Sequence, residues 1–223
     1  MSQGFPRLTP FGERAFLVEL GDGIDVALNA RVHALAAELD VHRDAQPGLG
    51  QPVPAYASLL VPFDPALVQA ADVALLLGDV AHAVLEASPG EASLGALLEI
   101  PVRYGGEDGP DLADVASRTG LTEAEVIDLH AGPAYHVFML GFAPGFAYLG
   151  PLPEALRLPR RPEPRLRVAK GSVAIAAGQT AVYPHETAGG WHVIGRTDLV
   201  LWDPASAEPV RVHPGDRVRF VPA

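Results

Sequence analysis

The chain has 223 residues, which is enough for one large domain or for two small domains with separate cores. Its formal net charge of −11 argues against binding to nucleic acid or to anionic membranes. The sequence contains no cysteine, which excludes disulfides, thiolate zinc sites and a cysteine nucleophile.

The N-terminus and the apolar segments predict a cytoplasmic protein. Residues 1–9 contain no basic stretch followed by a long apolar run, so no signal peptide is expected. The most apolar stretch, residues 73–77, is far too short to span a membrane. We therefore expect a protein that acts in the cytoplasm without entering the membrane.

The first ninety residues predict a small α/β domain. Apolar residues recur at helical spacing in two segments, and shorter apolar runs precede each of them. The predicted elements are a strand over residues 14–20, an amphipathic helix over 24–39, a loop over 42–52, a strand over 56–61 and a helix from Pro65 to Leu85. We place the domain boundary so that residues 1–90 form this domain and residues 91–223 a second one.

Two short helices are predicted near the start of the second domain, after a strand over residues 97–102. Asp111 is placed to cap the first helix and Gly120 to end it. Thr122 and Glu125 have the spacing of a capping box, which predicts a second helix through about His130.

From Tyr135 onward, short apolar runs alternate with turns that contain glycine or proline. This pattern is typical of a β barrel or sandwich, and with the preceding helices it predicts an α+β chain. The predicted strands cover residues 135–140, 172–176, 180–183, 192–194, 199–202, 210–212 and 217–221.

Common catalytic motifs are missing from the sequence. It has no P-loop, no Gly-x-Ser-x-Gly elbow and no His-Glu-x-x-His motif. His185, Glu186 and His192 have no recognised metal-ligand spacing, so no metal site is expected.

An aromatic loop is the first candidate for a site. Residues 141–150 combine Phe142, Phe146 and Tyr148 with Pro144 and Gly145. Proline and glycine give such a loop an unusual backbone path, and the aromatic rings suit a pocket wall. Composition alone leaves a second interpretation equally open, in which the rings plug one end of a barrel.

Polar candidates follow in the next fifty residues. The amide of Gln179 can both donate and accept hydrogen bonds, which suits a lactam, although an isolated glutamine more commonly pairs with the backbone of a turn. Arg196 can clamp a carboxylate or phosphate, or form a surface ion pair. A basic cluster suits either anion binding or a solvated loop; its members are Arg157, Arg160, Arg161, Arg165 and Arg167.

In order along the chain, these segments resemble the signature blocks of one family. The blocks are residues 104–106, 110–112, 141–150, 164–165, 170–176, 178–180, 183–184, 189–197 and 214–220. They are similar to the family of the 5-oxoprolinase B subunit, also known as KipI or allophanate hydrolase subunit 1. Lys170 and Ala188 depart from the family pattern, and the role of Lys170 is left open.

The resemblance implies a fold and an activity. The fold is a small α/β N-terminal domain followed by a cyclophilin-like β barrel. The activity is that of one hydrolase component, which pairs with the C subunit of the enzyme and works with its A subunit to open 5-oxoproline to glutamate. It uses ATP with Mg²⁺, and the missing P-loop leaves open a nucleotide site shared with the C subunit.

The resemblance also implies site residues. Arg196 would pair with the substrate carboxylate or phosphate, and Gln179 and Tyr183 would hydrogen-bond the ring amide of a lactam or other amide substrate. The implied substrate-binding residues are Phe142, Pro144, Gly145, Phe146, Tyr148, Trp191 and His192.

Two alternatives remain from the same resemblance. One is a binding protein that inhibits a sensor histidine kinase. The other is a component of a urea or other amide carboxylase or hydrolase.

Overall fold

A computed structural model describes residues 4–87 and 95–223 of the chain. The chain divides into two compact units, residues 1–93 and residues 94–223. The domain boundary predicted at residues 90–91 lies outside the described residues and stays a prediction.

The N-terminal unit consists of a four-stranded antiparallel sheet and two helices. The strands are β1 (Arg7–Pro10), β2 (Ala15–Glu19), β3 (Val53–Pro54) and β4 (Ser58–Pro62), in the order β1-β2-β4-β3. The helices are α1 (Val26–Ala45) and α2 (Ala70–Glu86).

Both helices differ in extent from the sequence prediction. Helix α1 begins where the Asp25 carboxylate accepts a hydrogen bond from the Leu28 amide, and it continues to Ala45, into the predicted loop. Helix α2 begins at Ala70 rather than at Pro65, because the Asp64 carboxylate accepts from the Ala66 amide and forms a turn there. Gly78 does not interrupt α2.

The C-terminal unit is built on a closed barrel of seven strands in the order β10-β7-β6-β13-β5-β12-β9. Its elements are β5 (Leu97–Tyr104), α3 (Leu112–Thr119), α4 (Glu123–Ala131), β6 (Tyr135–Leu140), β7 (Ala147–Gly150), a 3₁₀ turn (Glu154–Leu156), β8 (Arg165–Val168), β9 (Ser172–Ala176), β10 (Gln179–Val182), β11 (Thr187–Gly189), β12 (His192–Arg196) and β13 (Arg217–Pro222). Strands β8 and β11 pair with each other outside the barrel. The predicted α+β fold class, with a β barrel in the C-terminal unit, is confirmed.

The first and last strands of this unit close the barrel. Strand β13 pairs with β5 in parallel, from Arg217 opposite Leu97 to Pro222 opposite Val102. Alternate residues of both strands point into the barrel, where Ile100 and Phe220 are almost completely buried. Burial of each such side chain stabilises the fold by about 1.5–3 kcal/mol.

The helix ends were predicted with mixed success. The capping box of Thr122 and Glu125 is present, and Gly120 ends α3 in the left-handed conformation at φ 72°. Asp111 occupies the N-cap position of α3, but its side chain makes no capping hydrogen bond. Its carboxylate is directed to other partners, which contribute to the candidate site.

Two predicted strands were wrong. Residues 199–202 and 210–212 contribute only an isolated bridge between Trp202 and Val210. Leu201 and Val212 pack in the core, which accounts for their apolar character, but they form no strand pairing. The short strands β7, β8 and β11 were not predicted.

Candidate functional site

An aromatic cavity of about 190 Å³ lies in the C-terminal unit. Five aromatic side chains form its walls: Phe142, Phe146, Tyr148, Tyr183 and Trp191. The remaining lining residues are Arg160, Arg161, Pro164, Gly189 and Gly190. The aromatic loop predicted from the sequence is therefore one wall of a cavity.

Phe146 is the centre of the aromatic wall. Its ring is buried and makes edge-to-face contacts, at centroid distances of 5.0–5.7 Å, with Phe142, Tyr148, Tyr183 and Trp191. This is the arrangement that aromatic rings favour. The wall is consequently fixed by packing.

The loop between β6 and β7 places Phe142 at the cavity. Phe142 has φ 66°, in the left-handed region that few residues other than glycine adopt, and its side chain is 62% exposed. Gly145 has φ 76°, and a Cβ at this position would overlap Trp202. The glycine lets the loop pack closely against Trp202, and the loop holds an exposed phenylalanine at the cavity.

Tyr183 is held at the cavity by its backbone surroundings. Its hydroxyl interacts with the amide of Trp191, and burial raises its pKa although this amide opposes the shift. The hydroxyl also lies so close to Gly189 that no Cβ would fit there. The glycine at position 189 therefore sets the position of the tyrosine.

A buried carboxylate anchors two arginines beside the cavity. Asp111 is 4% exposed, and its Oδ1 accepts from Arg161 Nη1 at 2.8 Å and from Arg165 Nη2 at 2.8 Å. Its Oδ2 accepts from Arg165 Nη1 at 2.7 Å and from the Val193 amide at 2.7 Å. Burial raises the pKa of Asp111, but the bonds from Arg165 and Val193 and the charges of both arginines outweigh burial and lower it.

The sequence-predicted residues fall into three groups by position. Phe142, Phe146, Tyr148, Tyr183 and Trp191 line the aromatic cavity, and Pro144 and Gly145 lie in its loop. Gln179 is buried on β10 and His192 is buried on β12; neither lines this cavity. His192 Nε2 lies 3.0 Å from the carbonyl oxygen of Pro159, consistent with a hydrogen bond to it.

Arg196 lines a different cleft. This cleft, of about 160 Å³, is formed by Lys170, Gly171, Arg196, Thr197, Asp198 and Leu199, and it shares no residue with the aromatic cavity. Asp198 is paired there with Arg103 at 2.6 Å. Arg196 and the aromatic residues therefore do not form one pocket, and the roles predicted for Arg196, Gln179, Tyr183 and His192 stay predictions.

The site residues with the clearest electrostatic role were not assigned to the site from the sequence. Asp111 was predicted to be a helix cap, and Arg160 and Arg161 were grouped with a basic loop. In the sequence, the arginine-rich segment was the only indication that these residues belong to the site. The contacts from Asp111 span 50 and 54 residues, so no local pattern shows them.

The described part of the chain holds neither a metal-binding cluster nor a membrane-spanning helix. In residues 4–87 and 95–223, no group of three or more His, Asp or Glu side chains is arranged to hold a metal ion. None of the described helices combines the length and apolar character needed to cross a bilayer.

The sequence is similar to curated proteins from two bacteria. It is 38% identical to the 5-oxoprolinase B subunit of Bacillus subtilis (strain 168) over 222 residues, covering 96% of this chain and 92% of the relative. It is 59% identical to the 5-oxoprolinase B subunit of Escherichia coli O157:H7 over 125 residues, which is 56% of this chain and 57% of the relative. The match thus spans little more than half of the E. coli protein.

Solved structures share the fold. The crystal structure of TTHA0988 superposes with a TM-score of 0.80 at 41% identity, covering 94% of this chain and 40% of that chain. The urea carboxylase of Kluyveromyces lactis superposes with a TM-score of 0.76 over 97% of this chain and 21% of that chain. Its identity is only 18%, so this likeness concerns the fold alone.

A family model describes most of the chain. The model for the carboxyltransferase domain, subdomain C and D, matches residues 6–212. Together with the full-length similarity to the B. subtilis protein, this match identifies the family of the chain. The chain belongs to the family of the carboxyltransferase domain, subdomain C and D, and within it to the family of the 5-oxoprolinase B subunit.

Proposed function

We propose that this chain is the B subunit of an ATP-dependent 5-oxoprolinase that acts in the cytoplasm. It works in a hetero-oligomer with the A and C subunits of that enzyme, and its activity requires the complex. The names of the relatives from E. coli and B. subtilis support this assignment.

The observation that carries the proposal is the chemistry of the aromatic cavity. Pockets that hold drug-sized molecules enclose roughly 300–1,000 Å³. A cavity of about 190 Å³ suits a smaller molecule, and its aromatic walls suit a flat ring. The arginines at the cavity suit a negative charge. 5-Oxoproline is a small ring that carries a carboxylate, so it combines all three properties.

ATP needs a separate place in this proposal. The aromatic cavity is too small for a nucleotide together with the lactam, and the sequence has no P-loop. We assign the ATP–Mg²⁺ site to the assembled complex, shared with the C subunit. There ATP phosphorylates the lactam oxygen, water attacks the activated ring carbon, and the C–N bond breaks to give glutamate, with release of ADP and phosphate.

The test is glutamate release from 5-oxoproline by the chain together with the A and C subunits. We expect release that requires ATP and stops when any one component is omitted. A complex that assembles fully and hydrolyses ATP, but releases no glutamate, would contradict the proposal.

The alternative functions give different outcomes in the same experiment. A carboxylase component would be active on urea or another amide with a biotin-dependent partner. A kinase inhibitor would lower autophosphorylation of a sensor histidine kinase without the A and C subunits. Either result, together with absent glutamate release, would replace the proposed function.

A further inference from the structure

The aromatic cavity carries positive charge without acidic residues in its lining. Arg160 and Arg161 both line it, and none of the other lining residues is acidic. Within the described part of the chain, Arg160 makes no ion pair or hydrogen bond, although its charge acts on Tyr148 and Tyr183. In a chain of net charge −11, an unpaired arginine beside an apolar cavity provides a local attraction for an anion.

Hydrogen bonds within the protein hold Arg161 in place. Its Nη1 donates to the buried Asp111, and its backbone amide donates to the Gly190 carbonyl at 2.8 Å. Its Nε is buried without a hydrogen-bond partner, its Nη2 bonds to no described residue, and the side chain is 28% exposed. The protein therefore fixes the orientation of the guanidinium but occupies only part of its hydrogen-bonding capacity.

The three arginines outnumber the one carboxylate beside the cavity, which favours binding of an anionic group. Asp111 neutralises one of the two arginines that it binds, and Arg160 adds a further positive charge. A guanidinium matches the planar geometry of a carboxylate, which it binds through parallel hydrogen bonds. The aromatic walls leave room beside this charge for a flat, largely apolar ring.

We propose that the aromatic cavity binds a small cyclic carboxylic acid, with its carboxylate between Arg160 and Arg161 and its ring against Phe142, Tyr148 and Trp191. Asp111 is a positioning residue, which orients Arg161 without touching the ligand. The identification of this acid as 5-oxoproline rests on the proposed function. The carboxylate partner predicted from the sequence, Arg196, lies in the other cleft and is not a ligand here.

The test is direct binding to the isolated full-length chain, measured by calorimetry with three probes. The probes are 5-oxoproline, 2-pyrrolidone, which has the same ring without the carboxylate, and inorganic phosphate. We expect 5-oxoproline to bind at least about tenfold more tightly than either of the others. Phosphate binding as tight as that of 5-oxoproline would overturn the carboxylate assignment.

Substitutions of single arginines test which of them bind the carboxylate. We expect Arg160→Gln and Arg161→Gln each to weaken 5-oxoproline binding by about tenfold or more, while binding of 2-pyrrolidone stays the same. Arg167→Gln is the matched control, because Arg167 belongs to the same arginine-rich segment, is 82% exposed and does not line the cavity. It should bind both probes as the unmodified chain does. Loss of 5-oxoproline binding in Arg196→Gln, with binding kept in Arg160→Gln and Arg161→Gln, would overturn the proposal.

Asp111→Asn tests the positioning role. If Asp111 acts by orienting Arg161, this variant weakens binding of 5-oxoproline but leaves binding of 2-pyrrolidone unchanged. A general loss of structure would weaken both ligands equally and would contradict the role.

The assembled complex separates this inference from the proposed function. Charge-dependent binding to the chain without glutamate release from the complex would refute the proposed function alone. Glutamate release with an unchanged KM in Arg160→Gln and Arg161→Gln would refute the cavity assignment alone. If the isolated chain binds too weakly for calorimetry, the same KM comparison decides the matter, and we expect about a tenfold increase in both variants.

Discussion

Two buried polar networks in the C-terminal unit differ in their charge. Around Asp111, a carboxylate that is 4% exposed is ionised and is bonded to two arginines and a backbone amide. Around His130, a fully buried imidazole is neutral, because burial lowers its pKa to about 3. Only the first network touches the aromatic cavity, through Arg161.

The hydrogen bonds around His130 define its tautomer. Thr180 Oγ1 donates to the Ala174 carbonyl at 3.1 Å, so it accepts from His130 Nε2 at 2.9 Å. His130 Nδ1 then carries no hydrogen and accepts from the Tyr104 hydroxyl at 2.7 Å. Each polar atom of the ring is satisfied without charge, as burial in a core requires.

The comparison shows where this barrel retains buried charge. A neutral network suffices to satisfy polar groups inside the core. The charged network costs more to bury, and replacement of such ion pairs by apolar groups is often neutral for stability. Its position behind the cavity supports a role in orienting Arg161 toward an anion, in addition to any stabilisation.

The largest expected effect is the pH dependence of stability due to His130. Its pKa is about 3 in the folded state, against an ordinary value of 6.5, so the unfolded chain binds more protons between these values. Its stabilising contribution is complete above pH 6.5 and is lost as the pH falls toward 3. The expected limiting slope is about 1.4 kcal/mol per pH unit, which amounts to roughly 5 kcal/mol over the whole interval.

Tryptophan fluorescence can isolate this slope. Both tryptophans of the chain, Trp191 and Trp202, lie in the C-terminal unit, so urea unfolding followed by their emission reports on that unit. His130→Gln removes the titrating group but retains an amide able to hydrogen-bond. Its free energy of unfolding should fall less steeply below pH 6.5, and curves that run parallel to those of the unmodified chain would refute the prediction.

The second effect concerns Asp111. Asp111→Asn leaves two partly buried arginines without their counter-charge, and we expect a loss of about 2–3 kcal/mol in the free energy of unfolding at neutral pH. The pKa of Asp111 is lowered, so its contribution is complete above the ordinary carboxyl pKa and is lost as the pH falls through the lower folded value. The pH windows of the two networks therefore differ.

A matched control for Asp111→Asn lies in the helix that Asp111 precedes. Asp114 is 53% exposed, pairs with Arg118 at 3.7 Å and has its Oδ2 3.9 Å from Nδ1 of His192. Asp114→Asn should change the free energy of unfolding by less than about 0.5 kcal/mol, because exposed ion pairs contribute little. Equal losses in the two variants would show that burial of Asp111 is not the reason for its effect.

The sequence predicted the strands of the barrel better than its buried polar contacts. Strands β6 and β9 were predicted with their observed bounds, because each is a continuous apolar run between turns. The same local reasoning assigned Asp111 to a helix cap, which is the usual role of an aspartate before a helix. Its actual partners lie 50 and 54 residues away, and no local pattern can show a contact of that range.

The candidate site shows the same division. The aromatic loop was identified from its composition, and Phe142, Phe146 and Tyr148 do line a cavity. Arg196 was grouped with them on the family resemblance, but β12 carries it into the other cleft. A sequence motif does not show this separation, because successive positions along a strand reach different parts of the barrel.

The third prediction uses two neighbouring glycines to test whether packing fixes the aromatic wall of the cavity. A Cβ at Gly189 would overlap the Tyr183 hydroxyl, and Tyr183 is too buried to move freely. Gly189→Ala should cost about 1–2 kcal/mol by overpacking and should weaken ligand binding. Gly190→Ala meets only ordinary contacts, at 3.7 Å from Pro164, and should leave the free energy of unfolding unchanged. Binding calorimetry and urea unfolding check both, and equal behaviour of the two variants would show that the tyrosine is not fixed by this contact.

The smallest effect concerns one hydrogen bond of the neutral network. Tyr104→Phe removes the donor to His130 Nδ1, and we expect a loss of about 1 kcal/mol in the free energy of unfolding. In the His130→Phe background the same change should cost almost nothing, because no ring nitrogen is left to satisfy. A double-mutant cycle by urea unfolding measures this coupling. If Tyr104→Phe costs the same in both backgrounds, the hydroxyl stabilises the barrel through another contact. If the coupling is found, the neutral network acts through specific pairwise hydrogen bonds inside the core, whereas loss of Asp111 also affects binding at the cavity.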